Sequence, residues 1–306
     1  MRAFIFPGQG SQAVGMGRAL AEASAVARAL FEEVDDALGQ NLARLMAEGP
    51  IEELTLTENA QPAIMANAVA TLRVSGIAVD KADFVAGHSL GEYSALCAAE
   101  AFDVATTARL LKLRGKAMQA AVPVGEGAMA ALLGLGLEAA QEVAAEAAQS
   151  EVCTVANDND PGQVVVSGHK GAVDRSLEIA KAKGAKRALL LPVSAPFHCP
   201  LMQPAADAMA KALGEADIRP PSVQVYANVT AAPTGDPAEI RRLLVEQVTG
   251  MVRWRESVAA MAEAGVTHFV EFGGKVLSPM VKRIAPDVKT TSVISMDDIE
   301  ALVKEI

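Results

Sequence analysis

A serine hydroxyl is a weak nucleophile near neutral pH, and acyl chemistry on it needs a base for its proton and donors for the oxygen that gains charge. Gly87-His88-Ser89-Leu90-Gly91 reads G-x-S-x-G, the pattern in which a sharp strand-to-helix turn pushes the serine outward between small residues. So short a pattern also arises by chance, and a serine in this place can simply cap the helix that follows. Its surroundings favour chemistry. Asp83–Gly87 is a short apolar run and Leu90–Ala99 changes to helix-favouring residues, so Ser89 falls at the junction the pattern requires. A helix beginning there leaves its first amides unpaired, which makes the Leu90 N–H a natural oxyanion donor.

The base is most often a histidine, and the chain has four. His88 lies on the turn itself, with its side chain expected to point away from Ser89; His169 lies near a turn, and His268 within a strand. His198, in Ser194-Ala195-Pro196-Phe197-His198-Cys199-Pro200, lies in a loop between two structural units, where pockets tend to form. Position alone leaves it open whether His198 is the base or a histidine serving its own loop. The histidines lack H-E-x-x-H spacing, and Cys97, Cys153 and Cys199 lack C-x-x-C spacing. Three buried thiols and no metal are expected.

These residues need elements to hold them. Arg2–Phe6 reads as a buried strand broken by Pro7-Gly8-Gln9-Gly10-Ser11, and Val223–Ala227, Thr267–Phe272 and Thr291–Ile294 are further apolar runs among helical segments. That alternation indicates an α/β fold with a largely parallel sheet. Between about Gly125 and Val193 the order becomes strand Ala128–Leu133, helix Leu137–Gln149, strand Val152–Ala156, strand Val164–Ser167, helix Ala172–Lys183, strand Ala188–Val193. This is the βαββαβ order of a ferredoxin-like unit, with Asn157–Gly162 expected as the turn between its middle strands. The expected division is a large domain of residues 1–124 and 195–306 with a small domain, 125–194, inserted in it.

The 306 residues suffice for a large core, and a formal charge of −10 disfavours a broad nucleic-acid surface. No apolar run reaches the length of a membrane span, and the start of the chain lacks a signal-peptide pattern, so a cytoplasmic protein away from membranes is expected.

Taken in order along nearly the whole chain, six segments resemble the acyltransferase family of fatty-acid and polyketide synthesis, its malonyl-CoA:acyl carrier protein transacylases in particular. They are Phe6-Pro7-Gly8-Gln9-Gly10-Ser11-Gln12, Glu58-Asn59-Ala60-Gln61-Pro62-Ala63, Gly87-His88-Ser89-Leu90-Gly91-Glu92, Arg114, Pro196-Phe197-His198, and Gln247-Val248-Thr249-Gly250 leading to Val252-Arg253-Trp254. The resemblance implies an α/β-hydrolase-like domain with a ferredoxin-like insertion. It implies Ser89 as nucleophile, His198 as base, and the amides of Gln9 and Leu90 as oxyanion hole. Arg114 would grip the malonyl carboxylate with its planar fork of donors, and Gln247 would stand near a histidine that main-chain carbonyls orient. Phe197 would limit substituents on the acyl chain, and Gln61 and Asn159 would line the pocket. On their own, Gln61 reads equally as a loop residue ahead of Pro62 and Asn159 as a turn residue. The partners implied are malonyl-CoA and acyl carrier protein, with no cofactor and a monomeric enzyme expected. A water-using serine esterase and a non-catalytic carrier-binding scaffold are the competing readings. The basic run Lys181, Lys183, Lys186 and Arg187 is a candidate surface for an acidic carrier, or simply a solvated helix end.

Overall fold

The sequence of Arg2–Phe6 (β1) is apolar without alternation, which suits a strand covered on both faces, and Ala3 to Phe6 are all completely buried. In the computed structural model, which describes residues 1–306, β1 lies inside a six-stranded sheet of order β10-β9-β1-β2-β7-β8. The other members are β2 (Phe84–Gly87), β7 (Val225–Ala227), β8 (Ala232–Thr234), β9 (His268–Phe272) and β10 (Lys289–Val293). Every neighbouring pair is parallel except β7 and β8. Alternate residues of β1 feed two cores. Phe4 and Phe6 meet Phe272 on one face, the Phe4 and Phe272 rings edge to face at 5.1 Å, while Ala3 and Ile5 join Phe269 and Trp254 on the other.

The second sheet is antiparallel, of order β4-β5-β3-β6, with β3 (Gly127–Leu133), β4 (Cys153–Asp160), β5 (Gln163–His169) and β6 (Arg187–Leu190). Helices Leu137–Ala148 and Lys170–Ala182 cover one face, burying Val143 and Val173 against Leu132, Val164 and Val166. The α/β-hydrolase-like arrangement with a ferredoxin-like unit is therefore present.

One expected element is corrected. Asn157–Asp160 is not part of the turn: β4 runs through Asp160, and Pro161-Gly162 alone turns the chain. Turn-forming side chains are tolerated in this strand because Asp158, Asn159 and Asp160 each find a partner outside it, and tertiary contacts override weak propensity. Asp158 accepts from Nε of Arg255 at 3.1 and 3.0 Å, Asp160 from Arg283 Nε at 2.7 Å, and the ladder slips register twice to aim them. The same strand is stitched to the larger sheet's layer by Asp158 N–H to Val252 C=O at 3.0 Å and Val252 N–H to Ala156 C=O at 2.8 Å.

Four helices of the larger part reach the carboxyl ends of β1 and β2: Thr57–Ser75, Leu90–Ala98, Val104–Ala120 and Pro237–Thr249. Gln61 and Pro62 lie inside the first of these rather than in a loop. Gly115 lets the third approach the first, since a Cβ there would stand 2.5 Å from the Glu58 Cα. No helix is long and apolar enough to cross a membrane.

Candidate active site

The turn around Ser89 is possible only with its glycines. A Cβ on Gly87 would come within 1.9 Å of the Gly91 backbone, and one on Gly91 within 2.2 Å of the Phe6 carbonyl oxygen. Ser89 itself takes φ 56°, ψ −112°, a region that L-residues avoid unless their surroundings hold them there. Asn228, just past β7, does so: its Oδ1 accepts the Ser89 N–H at 2.8 Å and its Nδ2 donates to the Gly87 carbonyl at 2.7 Å. The helix that starts at Leu90 leaves that amide without an intrahelical partner, and Leu90 lines the cavity beside Ser89.

Ser89 Oγ lies 2.7 Å from Nε2 of His198. The imidazole Nδ1 lies 2.8 Å from the Gln247 carbonyl, which can only accept, so Nδ1 carries the proton and Nε2 is free to take one. No carboxylate stands behind this histidine. Burial and the nearby Arg114 charge hold its pKa down at about 3, against weaker support from the Gln247 carbonyl.

Arg114 projects from helix Val104–Ala120 and is 1% exposed. Nη1 donates to Gln61 Oε1 at 2.7 Å, and Nη2 to Gln247 Oε1 at 2.9 Å and to Ser89 Oγ at 3.1 Å. The Tyr93 ring lies 5.7 Å away on one side. No ion pair engages this buried guanidinium, whose Nε finds no acceptor. Gln247, completely buried, turns its amide nitrogen to Glu92 Oε2 at 2.8 Å, the Ser89 carbonyl at 3.0 Å and Asn228 Oδ1 at 3.2 Å. Glu92 also accepts the Asn228 N–H at 3.1 Å, and burial pushes its carboxyl up to about 7.

Above Ser89 opens a cavity of about 310 Å³ between the two sheets. Gln9 and Leu90 line it beside Ser89, Arg114 forms its polar end, and Met118, Met129 and Phe197 give it apolar walls. Phe197 is 9% exposed, its ring filling the wall next to His198. The structure thus brings together Gln9, Gln61, Ser89, Leu90, Arg114, Phe197 and His198 around one space, with Gln247 directly behind. Asn159 is corrected: it is not at the wall. Its Oδ1 meets His88 Nε2 at 2.7 Å, and the register slip in β4 puts Asn157 at the cavity instead.

The model of the acyl transferase domain family matches residues 3–280. The chain belongs to the acyl transferase family. Among relatives of this acyl transferase, the malonyl CoA-acyl carrier protein transacylase of Bacillus subtilis is 45% identical over 309 residues, covering 99% of this chain and 96% of that protein. The crystal structure of an acyl-carrier-protein-S-malonyltransferase from Bartonella henselae superposes with a TM-score of 0.97 at 52% identity, covering 99% and 98% of the two chains. A malonyl-transacylase solved in complex with a type II PKS acyl-carrier protein gives 0.96 at 42% identity, over 100% and 99%. The resemblance drawn from six segments holds for the whole chain.

Two residues of this acyl transferase site escaped the sequence reading, Glu92 and Asn228. Glu92 stood in the motif already quoted, and Asn228 stands where a strand's carboxyl end meets a loop, the usual place for functional side chains in open α/β sheets. The other histidines serve elsewhere: His88 points to Asn159 with its ring against Trp254, His169 accepts the Val152 N–H, and His268 meets Thr291. All three cysteines are buried and free, and no cluster of three acidic, cysteine or histidine side chains is placed to hold a metal. In the basic run, Lys181 pairs with Glu178 at 2.8 Å, and Lys183 with Glu142 and Glu146 at 3.3 and 3.6 Å, so half of its charge is offset locally.

Proposed function

We propose that this acyl transferase moves a malonyl group from malonyl-CoA to the phosphopantetheine thiol of acyl carrier protein through an ester on Ser89. The observation that carries the reading is one oxygen with two neighbours: Ser89 Oγ sits 2.7 Å from an uncharged imidazole nitrogen and 3.1 Å from a buried guanidinium that has no carboxylate. A carboxylate on the acyl group would complete Arg114, whose two-pronged donors suit it, and would set the thioester carbonyl beside Ser89.

Ser89 Oγ then attacks the carbonyl carbon as His198 Nε2 takes its proton. The oxygen that gains charge is held by the amides of Gln9 and Leu90. Collapse breaks the C–S bond, and the coenzyme A thiolate leaves with the proton from His198. The carrier thiol gives its proton to His198 and attacks the ester, the C–O bond breaks, and Ser89 recovers its proton. Two-step, ping-pong kinetics follow. In this reading residues 1–124 and 195–306 carry Ser89, Arg114, His198 and Gln247, and residues 125–194 close the cavity from above with Met129, Leu191 and Val193. Gln61 and Gln247 hold Arg114, and Phe197 restricts the acyl chain. The activated thioester supplies the driving force, so the reaction calls for no cofactor, and the protein works as a cytoplasmic monomer.

Intact-mass analysis after malonyl-CoA tests this. A malonyl adduct should form on Ser89, disappear on addition of carrier protein as malonyl-carrier forms, and be missing in Ser89→Ala. An adduct lost to water at the same rate with or without carrier would make the protein an esterase. Full loading of Ser89→Ala would remove Ser89 from the reaction.

A further inference from the structure

Two buried polar side chains stand next to Ser89 with no part in the steps above. Asn228, 1% exposed, grips both sides of the strained residue with one amide, taking the Ser89 N–H at 2.8 Å and giving to the Gly87 carbonyl at 2.7 Å. Glu92, 3% exposed, lies in the first turn of helix Leu90–Ala98, where a negative group is favoured. Its Oε2 takes the Asn228 N–H at 3.1 Å and the Gln247 amide at 2.8 Å. Gln247 is the hub of the site, since its carbonyl oxygen holds His198 and its Oε1 holds Arg114. The carboxylate that other serine sites place against the histidine stands here one residue further back, acting through Gln247. A side chain needed only to fill this space would be apolar, because burying a carboxyl costs free energy that an alkyl group avoids.

We propose that Asn228 and Glu92 are positioning residues for acyl transfer: Asn228 holds the Ser89 backbone in its positive-φ turn, and Glu92 ties Asn228 to Gln247 so that Ser89, His198 and Arg114 keep one register. The inference rests on the Ser89 ester mechanism, and the tests separate. Loading of the wild-type enzyme examines the mechanism, and only the variants examine this one.

The measurement is malonyl loading by the full-length enzyme, with kcat referred to folded protein from circular dichroism. Asn228→Ala should lower kcat by about 100-fold with KM for malonyl-CoA within about threefold of wild type, the pattern of a misplaced nucleophile. Glu92→Ala should lower kcat by about tenfold or more, and Glu92→Gln, which keeps an acceptor oxygen in place, should return it to within about threefold. Should Asn228→Ala not fold, Asn228→Asp keeps the size and the acceptor but loses the donor to Gly87, and its kcat should fall as well. Folded variants with wild-type kcat overturn the inference. So does a rise in KM alone, or a Glu92→Gln enzyme no better than Glu92→Ala.

Discussion

His198 is held by a peptide carbonyl, so no charge beside it favours the imidazolium, and the Arg114 charge opposes it. The base is therefore neutral throughout the physiological range, and kcat/KM for malonyl loading should lack the inflection near pH 6.5 that a hydrated histidine gives. Because Glu92 titrates at about 7, the profile is best measured in Glu92→Gln; an inflection at 6.5 persisting there would contradict the burial of His198. Linkage fixes the signs for stability. The unfolded chain protonates this imidazole as pH falls below its ordinary 6.5, the folded chain only at about 3, so the His198 contribution is full above 6.5 and lost between those values. Glu92 runs the other way, from an ordinary 4.5 to about 7, so its contribution is full below 4.5 and lost as pH rises through 7. Denaturant midpoints should consequently climb more steeply between about pH 5 and 7 in Glu92→Gln than in wild type. For Arg114→Ala, loss of the carboxylate partner from a dry pocket should cost malonyl transfer about 2–5 kcal/mol, while acetyl transfer, with no carboxylate to seat, falls much less. Arg114→Lys should recover only part of the malonyl activity. The ratio of kcat/KM for the two thioesters reads this out, and an equal fall for both would make Arg114 a structural residue. Ser89 stood out from the spacing of its own motif, whereas His198, Arg114 and Gln247 took their expected roles only from the resemblance of their segments to the family. Asn228 was not legible, since one amide in a loop becomes informative only when folding sets it 2.8 Å from an N–H 139 residues away.

At the scale of elements, the pattern of apolar runs located every strand but the short β8, Ala232–Thr234, and two local misreadings share a cause. Asn157–Asp160 reads as a turn from local chemistry, yet it forms a strand because Arg255, Arg283 and His88 arrive from distant segments to satisfy it. Gln61 reads from local chemistry as a loop residue ahead of Pro62, yet both lie within helix Thr57–Ser75, most of whose residues are buried and packed on all sides. The strand's ion pairs make an asymmetric prediction. The Asp158 side chain is 0% exposed and that of Arg255 31%, so deleting either leaves its partner in a different medium. Arg255→Ala strands a buried carboxylate and should cost about 2–4 kcal/mol, whereas Asp158→Ala leaves a guanidinium that can rehydrate and should cost about 1 kcal/mol. Chemical denaturation of the two variants decides it, and equal losses would mean that Asp158 is better hydrated than its burial shows.

For the molecule as a whole, the site is a seam: the nucleophile, base and clamp stand on the larger sheet's layer, and the smaller sheet forms the opposite wall. Neither part closes the cavity alone. The only tryptophan, Trp254, is completely buried beneath the larger sheet beside β9 residue Phe269, so its fluorescence should report whether that sheet has assembled. A chain ending at Gly265 lacks β9 and β10 and should show red-shifted emission with no cooperative transition in urea. The order β10-β9-β1-β2-β7-β8 also has a consequence in time. β1 leaves the ribosome before the other strands of this sheet, but its neighbour β9 pairs with it through Arg2 and His268, which are far apart along the chain. At about 5–20 residues per second, the apolar run Ala3-Phe4-Ile5-Phe6 waits about 10–50 s with one edge unpaired. All four strands of the smaller sheet fall between Gly127 and Leu190, so that unit's pairings are available well before the wait ends. During synthesis, the segment most in need of protection from other chains is thus made long before the strand that covers its second edge.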